Sequence, residues 1–514
     1  MTTDVLTYTP IEDIPAKVER LRKSFVDGRL RSVDSRLDQL RKLYFAIKDH
    51  EDDLKAAVKL DLNKPETEFQ IQELNVVLGE LLEVINGLKT WAKPKSTPGV
   101  PLLFKFSSPK IIKDPLGVVL VIGAFNFPLN LNIQPVVAAI AAGNTVVLKQ
   151  SELVPNFTET LSEILVDALD PEVLQVVNGA VDETTALLDE KFDKIIYTGN
   201  GTVGKIVAKK AAEHLTPVLL ELGGKSPVFI TENYPNLKLA AKRVAMAKNS
   251  NAGQVCISPD YILAHESVYE DFIEALQSQY DKYYGDAKDE KGYGKIVHDR
   301  AFKRLESTLE DTQGKIVYQN GELNASSRFF PPTIVRDVTF EDSLMKDEIF
   351  GPILPVIKYS DLDDAIDKVI TYHDTPLALY VFTKNKAQEN KILSKIRSGA
   401  ALVNDALVHA IVSELPFGGV GNSGQGNYHG IHGFNSFSHD RAYLNQPDWT
   451  ESLFEASFPP VSNWDLKLST FFLTPSENIN RVGPVFKKQY WFHGLVLAAG
   501  LAGSYFGFAK SCKG

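Results

Sequence analysis

The chain has 514 residues, a formal net charge of −10, 44% hydrophobic and 23% charged residues, and two cysteines. That length holds two or more globular domains. The acidic balance, with no basic stripe interleaved with aromatics, argues against nucleic acid as a partner, and two cysteines so far apart build no disulfide framework, which puts the body in a reducing compartment.

The first ten residues, Met1 to Pro10, carry neither a basic region nor a long apolar core, so no cleaved secretory or transit signal is expected. From Ile11 to about Trp91 the pattern predicts helices: Leu37, Leu40, Leu43 and Ile47 recur at three- and four-residue steps with charges between them. Pro94, Pro98 and Pro101 break that pattern. The run from Phe104 to Lys113 has strand character and reads as an arm outside the core. Strand-like runs then begin near Val118, Thr145, Val173, Lys194 and Val218, separated by helix-length segments. This alternation predicts a doubly wound parallel sheet, whose ligands lie at the carboxyl ends of its strands. A second α/β region starts around Glu221. Its helices are expected near Val268–Tyr280 and Leu362–Tyr372, with apolar runs at Ile353–Ile357, Leu377–Thr383 and Ala400–Asn404.

Six stretches carry residues suited to chemistry. Cys256 lies between a polar, Gly-containing turn and the strand-like run Tyr261 to Ala264. It is either a nucleophile on an exposed loop or a small buried hydrophobe. Glu221 stands between leucines ahead of Gly223 and Gly224, which suits a buried structural carboxylate or a base with a raised pKa. The run Val121 to Pro128 is expected to end a strand on Asn126, whose amide could donate to a developing oxyanion. Lys149 and Glu152 sit just past a strand end. A carboxylate there accepts from a ribose 2′-hydroxyl and repels a 2′-phosphate; a solvated loop pair is the alternative. Gly199, Gly201 and Gly204 form G-x-G-x-x-G between strand and helix, a weak signal alone, and it falls at the fourth strand of the series. Glu348 and Phe350 place an acid and an aromatic just before a strand.

Together and in this order these segments resemble the aldehyde dehydrogenase superfamily, and its class 3 branch in particular, which includes membrane-bound fatty aldehyde dehydrogenases. Leu415 to Gly424, Tyr428-His429-Gly430 and Phe437-Ser438-His439 are especially similar to that branch, and the resemblance runs from about Val33 to Leu444. It implies an α/β fold: an NAD-binding domain of residues 1–96 and 118–220, a catalytic domain of 221–413, and an oligomerisation arm of 97–117 and 414–446 that builds a homodimer. It also implies NAD as cofactor and no metal. Cys256 would be the nucleophile, Glu221 the base, and Asn126 with the Cys256 backbone N–H the oxyanion hole. Lys149 and Glu152 would hold the adenosine ribose, Gly199 and Gly204 the phosphate turn, and Glu348 with Phe350 the nicotinamide ribose and ring. Two positions depart from the branch: Gly201 stands where Thr is usual, and Phe127 where Tyr is frequent. Neither is required by the chemistry, so an active enzyme is expected.

The tail points to the substrate. Tyr490 to Ala509 contains no Asp, Glu, Lys or Arg; twenty residues of helix reach about 30 Å, enough to cross a bilayer. Lys487 and Lys488 precede it and Lys510 and Lys513 follow, with Tyr490 and Trp491 at the leading edge. In the linker 447–486, Trp464, Leu468, Phe471 and Phe472 would share one helix face, either core packing or a surface laid on lipid. These features predict a C-terminal anchor at 490–509 with the body in the cytosol. The mitochondrial outer membrane is favoured over the endoplasmic reticulum and lipid droplets. The expected activity is oxidation of long-chain aliphatic aldehydes to acids, with an acylating enzyme that uses coenzyme A and a non-catalytic scaffold as the alternatives.

Overall fold

The computed structural model describes residues 5–285 and 292–473. The N-terminal region is helical, with its longer helices at Ile14–Asp27, Val33–Asp49, Glu51–Leu62 and Asn75–Trp91. Leu40, Leu43 and Ile47 are fully buried and Leu37 nearly so, which is the face their spacing predicts.

The strands are β1 (Lys95–Ser96), β2 (Lys110–Pro115), β3 (Val118–Ile122), β4 (Thr145–Lys149), β5 (Leu174–Val177), β6 (Lys194–Thr198), β7 (Val218–Glu221), β8 (Pro227–Ile230), β9 (Tyr261–His265), β10 (Lys315–Gln319), β11 (Thr333–Arg336), β12 (Ile353–Tyr359), β13 (Ala378–Phe382), β14 (Ala400–Val403), β15 (Gly424–Gln425) and β16 (Ser438–Tyr443). One six-stranded sheet has the order β15-β7-β6-β3-β4-β5, parallel except for β15. Every residue of β3 and β4 is buried. Strands covered on both faces must be apolar throughout, which is why Val118 to Ile122 shows no alternation. The order reverses between β3 and β6, so a crevice opens where Ile122, Lys149, Thr198 and Glu221 end their strands.

A second sheet has the order β10-β11-β12-β9-β8-β13-β14, parallel except at β10. The strands expected near Ile353, Leu377 and Ala400 are β12, β13 and β14, and the two expected helices are Tyr269–Tyr284 and Leu362–His373. The link from β7 to β8 is short, and it contains Gly223 and Gly224.

The run Phe104 to Lys113 is not one strand. Its first part belongs to a 3-10 turn at Leu102–Ser107, and the strand β2 begins at Lys110. Pro101 fixes the turn's start, its carbonyl accepting the Phe104 N–H at 3.0 Å, and left-handed Ser108 ends it.

The described residues fall into two compact units. One runs to Pro94 and from Ile112 to Arg441; the other holds Lys95–Ile111 and continues from Ala442. Of the expected arm of 97–117 and 414–446, residues 112–117 and 414–441 are counted with the first unit, where β15 closes the edge of the six-stranded sheet on β7, while β1, β2 and β16 form a three-stranded sheet. Within the second unit β1 pairs with β2, and the Asn445 N–H donates to the Ser107 carbonyl at 2.9 Å. A helix spans Asn463–Leu473, and on it Trp464 is 71% exposed. Among the described residues no helix is long and apolar enough to cross a membrane; the segment 490–509 lies outside them.

Candidate active site

Cys256 lies on the loop between the helix Leu237–Asn249 and β9. Ahead of it Asn251, Ala252 and Gly253 take φ of 50°, 53° and 75°. Left-handed backbone costs an ordinary residue about 1–2 kcal/mol, so neighbours must hold this loop. A Glu68 carboxylate oxygen accepts the Asn251 N–H at 2.7 Å, and the Asn251 side chain donates to the Asn126 carbonyl at 2.8 Å. The Gln254 amide donates to the Asn251 and Lys295 carbonyls, and its oxygen accepts the Val297 N–H at 2.9 Å. At Gly253 a Cβ would stand 2.2 Å from the Gly351 carbonyl, so two backbones touch where no side chain fits. The result keeps Val255 and Ile257 buried and Cys256 partly exposed between them. Burial pushes its thiol up to about 12, and the nearby Glu348 and Glu221 carboxyls push the same way.

The strand β3 ends at Ile122 and not on Asn126, which stands in the turn beyond it and is buried. Its side-chain nitrogen donates to the Gln254 carbonyl at 3.0 Å, two residues before Cys256, and its second amide hydrogen has no acceptor among the described residues. Glu221 ends β7, between Thr198 on β6 and Gly424 on β15. It is 3% exposed, and neither carboxyl oxygen has a hydrogen-bond partner among the described residues. Burial therefore raises its pKa well above the usual carboxylate range. A structural carboxylate is normally hydrogen-bonded. No described residue bonds to this one, and the groups that feel its charge include Cys256 and Tyr428.

The crevice fits a dinucleotide. Lys149 ends β4 and donates to the Gln150 carbonyl at 2.7 Å and to Glu152 at 3.0 Å. Gly199 follows β6, where a Cβ would stand 2.2 Å from the Tyr197 hydroxyl. Gly201 opens the helix Gly201–Glu213, and a Cβ there would meet nothing within 4 Å. That open space over a helix N-terminus suits a phosphate, and it also leaves room for the Thr usual at this position. Gly204 lies inside the helix, where its missing side chain admits Leu222: a Cβ would stand 2.8 Å from the leucine. Glu348 sits on the Gly223–Gly224 link, accepting the Gly224 N–H, and a Cβ on Gly223 would stand 2.1 Å from its carboxylate. Burial and the neighbouring Asp260 push Glu348 up to about 8. Phe350 meets Phe125 edge to face at 5.9 Å between centroids. The structure thus brings Cys256, Asn126, Glu221 and Glu348 together, with Lys149, Glu152 and Gly199 at strand ends of the same crevice. Among the described residues no cluster of His, Cys, Asp or Glu could hold a metal.

Several residues around the thiol carried no chemical signal of their own in the sequence. Tyr428 is fully buried, its hydroxyl has no partner among the described residues, and it senses Glu221, Glu80 and Cys256. Its loop is pinned by the Gly430 N–H donating to Glu80 at 2.8 Å. The Tyr380 hydroxyl donates to the Ile257 carbonyl at 2.5 Å. His409, Phe417 and His429 stack in parallel beside Tyr428, and burial keeps both imidazoles neutral, lowering them to about 4 and about 3. This aromatic wall comes from one irregular stretch, His409 to His429, so helical or strand periodicity could not single its residues out.

The comparisons agree with this geometry. The aldehyde dehydrogenase family model matches residues 6–442. The chain is 43% identical to beta-apo-4'-carotenal oxygenase of Gibberella fujikuroi, over 96% of this chain and 92% of that protein. It is 40% identical to fatty aldehyde dehydrogenase HFD1 of Saccharomyces cerevisiae, over 93% of each. The solved structure of substrate-bound Staphylococcus aureus AldH superposes with a TM-score of 0.85 at 36% identity, covering 90% of this chain and 99% of that one. Related aldehyde dehydrogenases have been solved with NAD+ bound. The family model covers most of a chain whose partly exposed cysteine and strand-end crevice share one compact unit: this chain belongs to the aldehyde dehydrogenase family and is an aldehyde dehydrogenase.

Proposed function

We propose that the protein oxidises long-chain, strongly apolar aldehydes to carboxylic acids with NAD, at a membrane surface. The observation that carries the chemistry is the convergence of Cys256, the Asn126 amide and the unpartnered Glu221 carboxyl. The Cys256 thiolate adds to the aldehyde carbon, and the Asn126 amide with the Cys256 N–H takes up the alkoxide charge. NAD, when bound, supplies the acceptor for the hydride that leaves this carbon. What remains on Cys256 is a thioester. Glu221 removes a proton from water, the water adds to the acyl carbon, the C–S bond breaks and the acid departs. A base held ready for water favours hydrolysis over transfer of the acyl group to coenzyme A.

Lys149 and Glu152 would hold the adenosine ribose, Gly199 with the open helix start at Gly201 the pyrophosphate, and Glu348 with Phe350 the nicotinamide side. The Glu152 carboxylate accepts from a 2′-hydroxyl and repels a 2′-phosphate. Catalytic efficiency with NAD is therefore expected to exceed that with NADP by about tenfold or more, since a hydrogen bond to a charged group is worth about 1.5–3 kcal/mol. Glu152→Gln should narrow that ratio, and steady-state comparison of the two cofactors in both proteins reads it.

The substrate class rests on the sequence of the tail, on the names of relatives that act on a fatty aldehyde and a carotenal, and on the apolar side chains along Asn463–Leu473, where Trp464 and Phe471 are exposed. Residues 490–509 would anchor the chain in a bilayer, the mitochondrial outer membrane before others, with the catalytic body in the cytosol as a homodimer. A long-chain aldehyde concentrates in the bilayer, and the anchor would keep the enzyme where its substrate is. NADH formation by detergent-solubilised full-length protein, measured from short to long aldehydes, tests the class: efficiency should climb with chain length. Truncation after Asn480 should release the protein to the soluble fraction, keep turnover of short aldehydes and lower turnover of vesicle-dissolved long ones. Retention on membranes would end the anchor reading.

A further inference from the structure

Behind Asn126 lies an ion pair that touches neither crevice nor solvent. The Lys64 and Glu73 side chains are both fully buried and pair with each other. The Lys64 ammonium also donates to the Asn126 carbonyl at 3.0 Å and stands 4.3 Å from the centroid of the Phe127 ring. The other Glu73 oxygen accepts the Leu129 N–H at 2.9 Å. One pair therefore grips both ends of the turn Asn126-Phe127-Pro128-Leu129, just before the helix Asn130–Ala142. The Asn126 carbonyl takes a second bond from Asn251, the residue that opens the nucleophile loop. Two charges without water cost several kcal/mol to bury, and a pair of apolar side chains could fill the same space. What this pair adds is a fixed direction for one peptide plane.

We propose that Lys64 and Glu73 are positioning residues for the oxyanion donor: they orient the Asn126 peptide, and through it the side-chain amide that meets the alkoxide. The inference rests on the oxyanion role given to Asn126 above. Phe127, lacking the hydroxyl frequent in the branch, presents a plain ring face to the ammonium, which adds a cation–π contact to the same clamp.

The test is a double-mutant cycle read by single-turnover NADH formation in the full-length protein. Lys64→Met with Glu73→Gln removes both charges together, so no lone ion is left in the interior. Displacing a donor by about 1 Å costs up to about a hundredfold. The double substitution should therefore slow the NADH-forming step roughly ten- to a hundredfold, with KM and NAD affinity changed less than about threefold. In an Asn126→Ala background, itself slower by roughly 10²–10³, the same pair of substitutions should change the rate less than about twofold. Glu73→Gln alone, which keeps the lysine bond to Asn126, should cost less than the pair and serves if the pair does not fold. Equal fold-losses in both backgrounds, or no loss in either, would overturn the proposal and leave the oxyanion role standing. An Asn126→Ala protein as fast as wild type would instead remove the oxyanion role, and the clamp with it.

Discussion

Cys256→Ala will abolish aldehyde oxidation and leave the cofactor site intact. The nucleophile forms the bond on which the whole sequence of steps depends, and residues that act as one catalytic unit fail together, so the loss should be about 10⁴-fold or more. NAD affinity, measured by fluorescence or calorimetry, should stay within about twofold, because Lys149, Glu152 and Gly199 belong to β4, β6 and their following loops while Cys256 belongs to the loop before β9. Alanine also keeps the loop's geometry: the bonds that hold Asn251 and Gln254 do not use the sulfur. Turnover near that of the wild type would remove the covalent mechanism. Since burial and two carboxyls hold the free thiol up to about 12, the resting protein should also react slowly with iodoacetamide at neutral pH.

Glu221→Gln should split the reaction in two. The NADH-forming step survives, and hydrolysis of the thioester falls by about 10²–10⁴, the usual reach of a positioned general base. Rapid mixing should show a burst of NADH close to one per active site, then a slow steady state. The pH profile carries the same information with a defined sign. Burial raises the Glu221 pKa well above the usual range, so at low pH the carboxyl is protonated and cannot take a proton from water. The hydrolytic rate therefore rises with pH, along a limb placed above the ordinary carboxylate range, and glutamine should flatten that limb. Loss of the burst itself would mean that Glu221 first serves the Cys256 thiol, whose neighbour it is.

Much of this was legible in the sequence because the informative residues are local. Val118, Thr145, Lys194 and Val218 open strands where the alternation placed them, and Asn126, Lys149, Gly199 and Glu221 follow or end those strands in the chain as well as in space. A parallel sheet puts successive strand ends along one edge, so one rule about carboxyl ends anticipates where half of the candidate residues stand. Cys256 was legible for the opposite reason, being so rare a residue. What the sequence hid is non-local. Lys64 and Glu73 read as ordinary charges in a helical region until the fold carries them under Asn126. Tyr428 and His409 come from a segment that spacing alone could not set beside Glu221 and Tyr380. The Phe104 to Lys113 run was misread because apolar alternation cannot tell a strand from a proline-started turn. Gly204, the last glycine of its motif, is where a helix leans on Leu222.

The solitude of the Glu221 carboxyl has a consequence for heat resistance. A buried polar group left without a partner costs the fold about 1–3 kcal/mol, against a total stability of about 5–15 kcal/mol for a typical domain. An apolar side chain of similar length at that position would relieve the cost, since no described residue bonds to the oxygens. The burial that would ready this carboxyl as a base is thus a cost to the fold. The most durable version of this chain is therefore one that no longer turns over, and screening for thermal endurance alone would select against the catalyst.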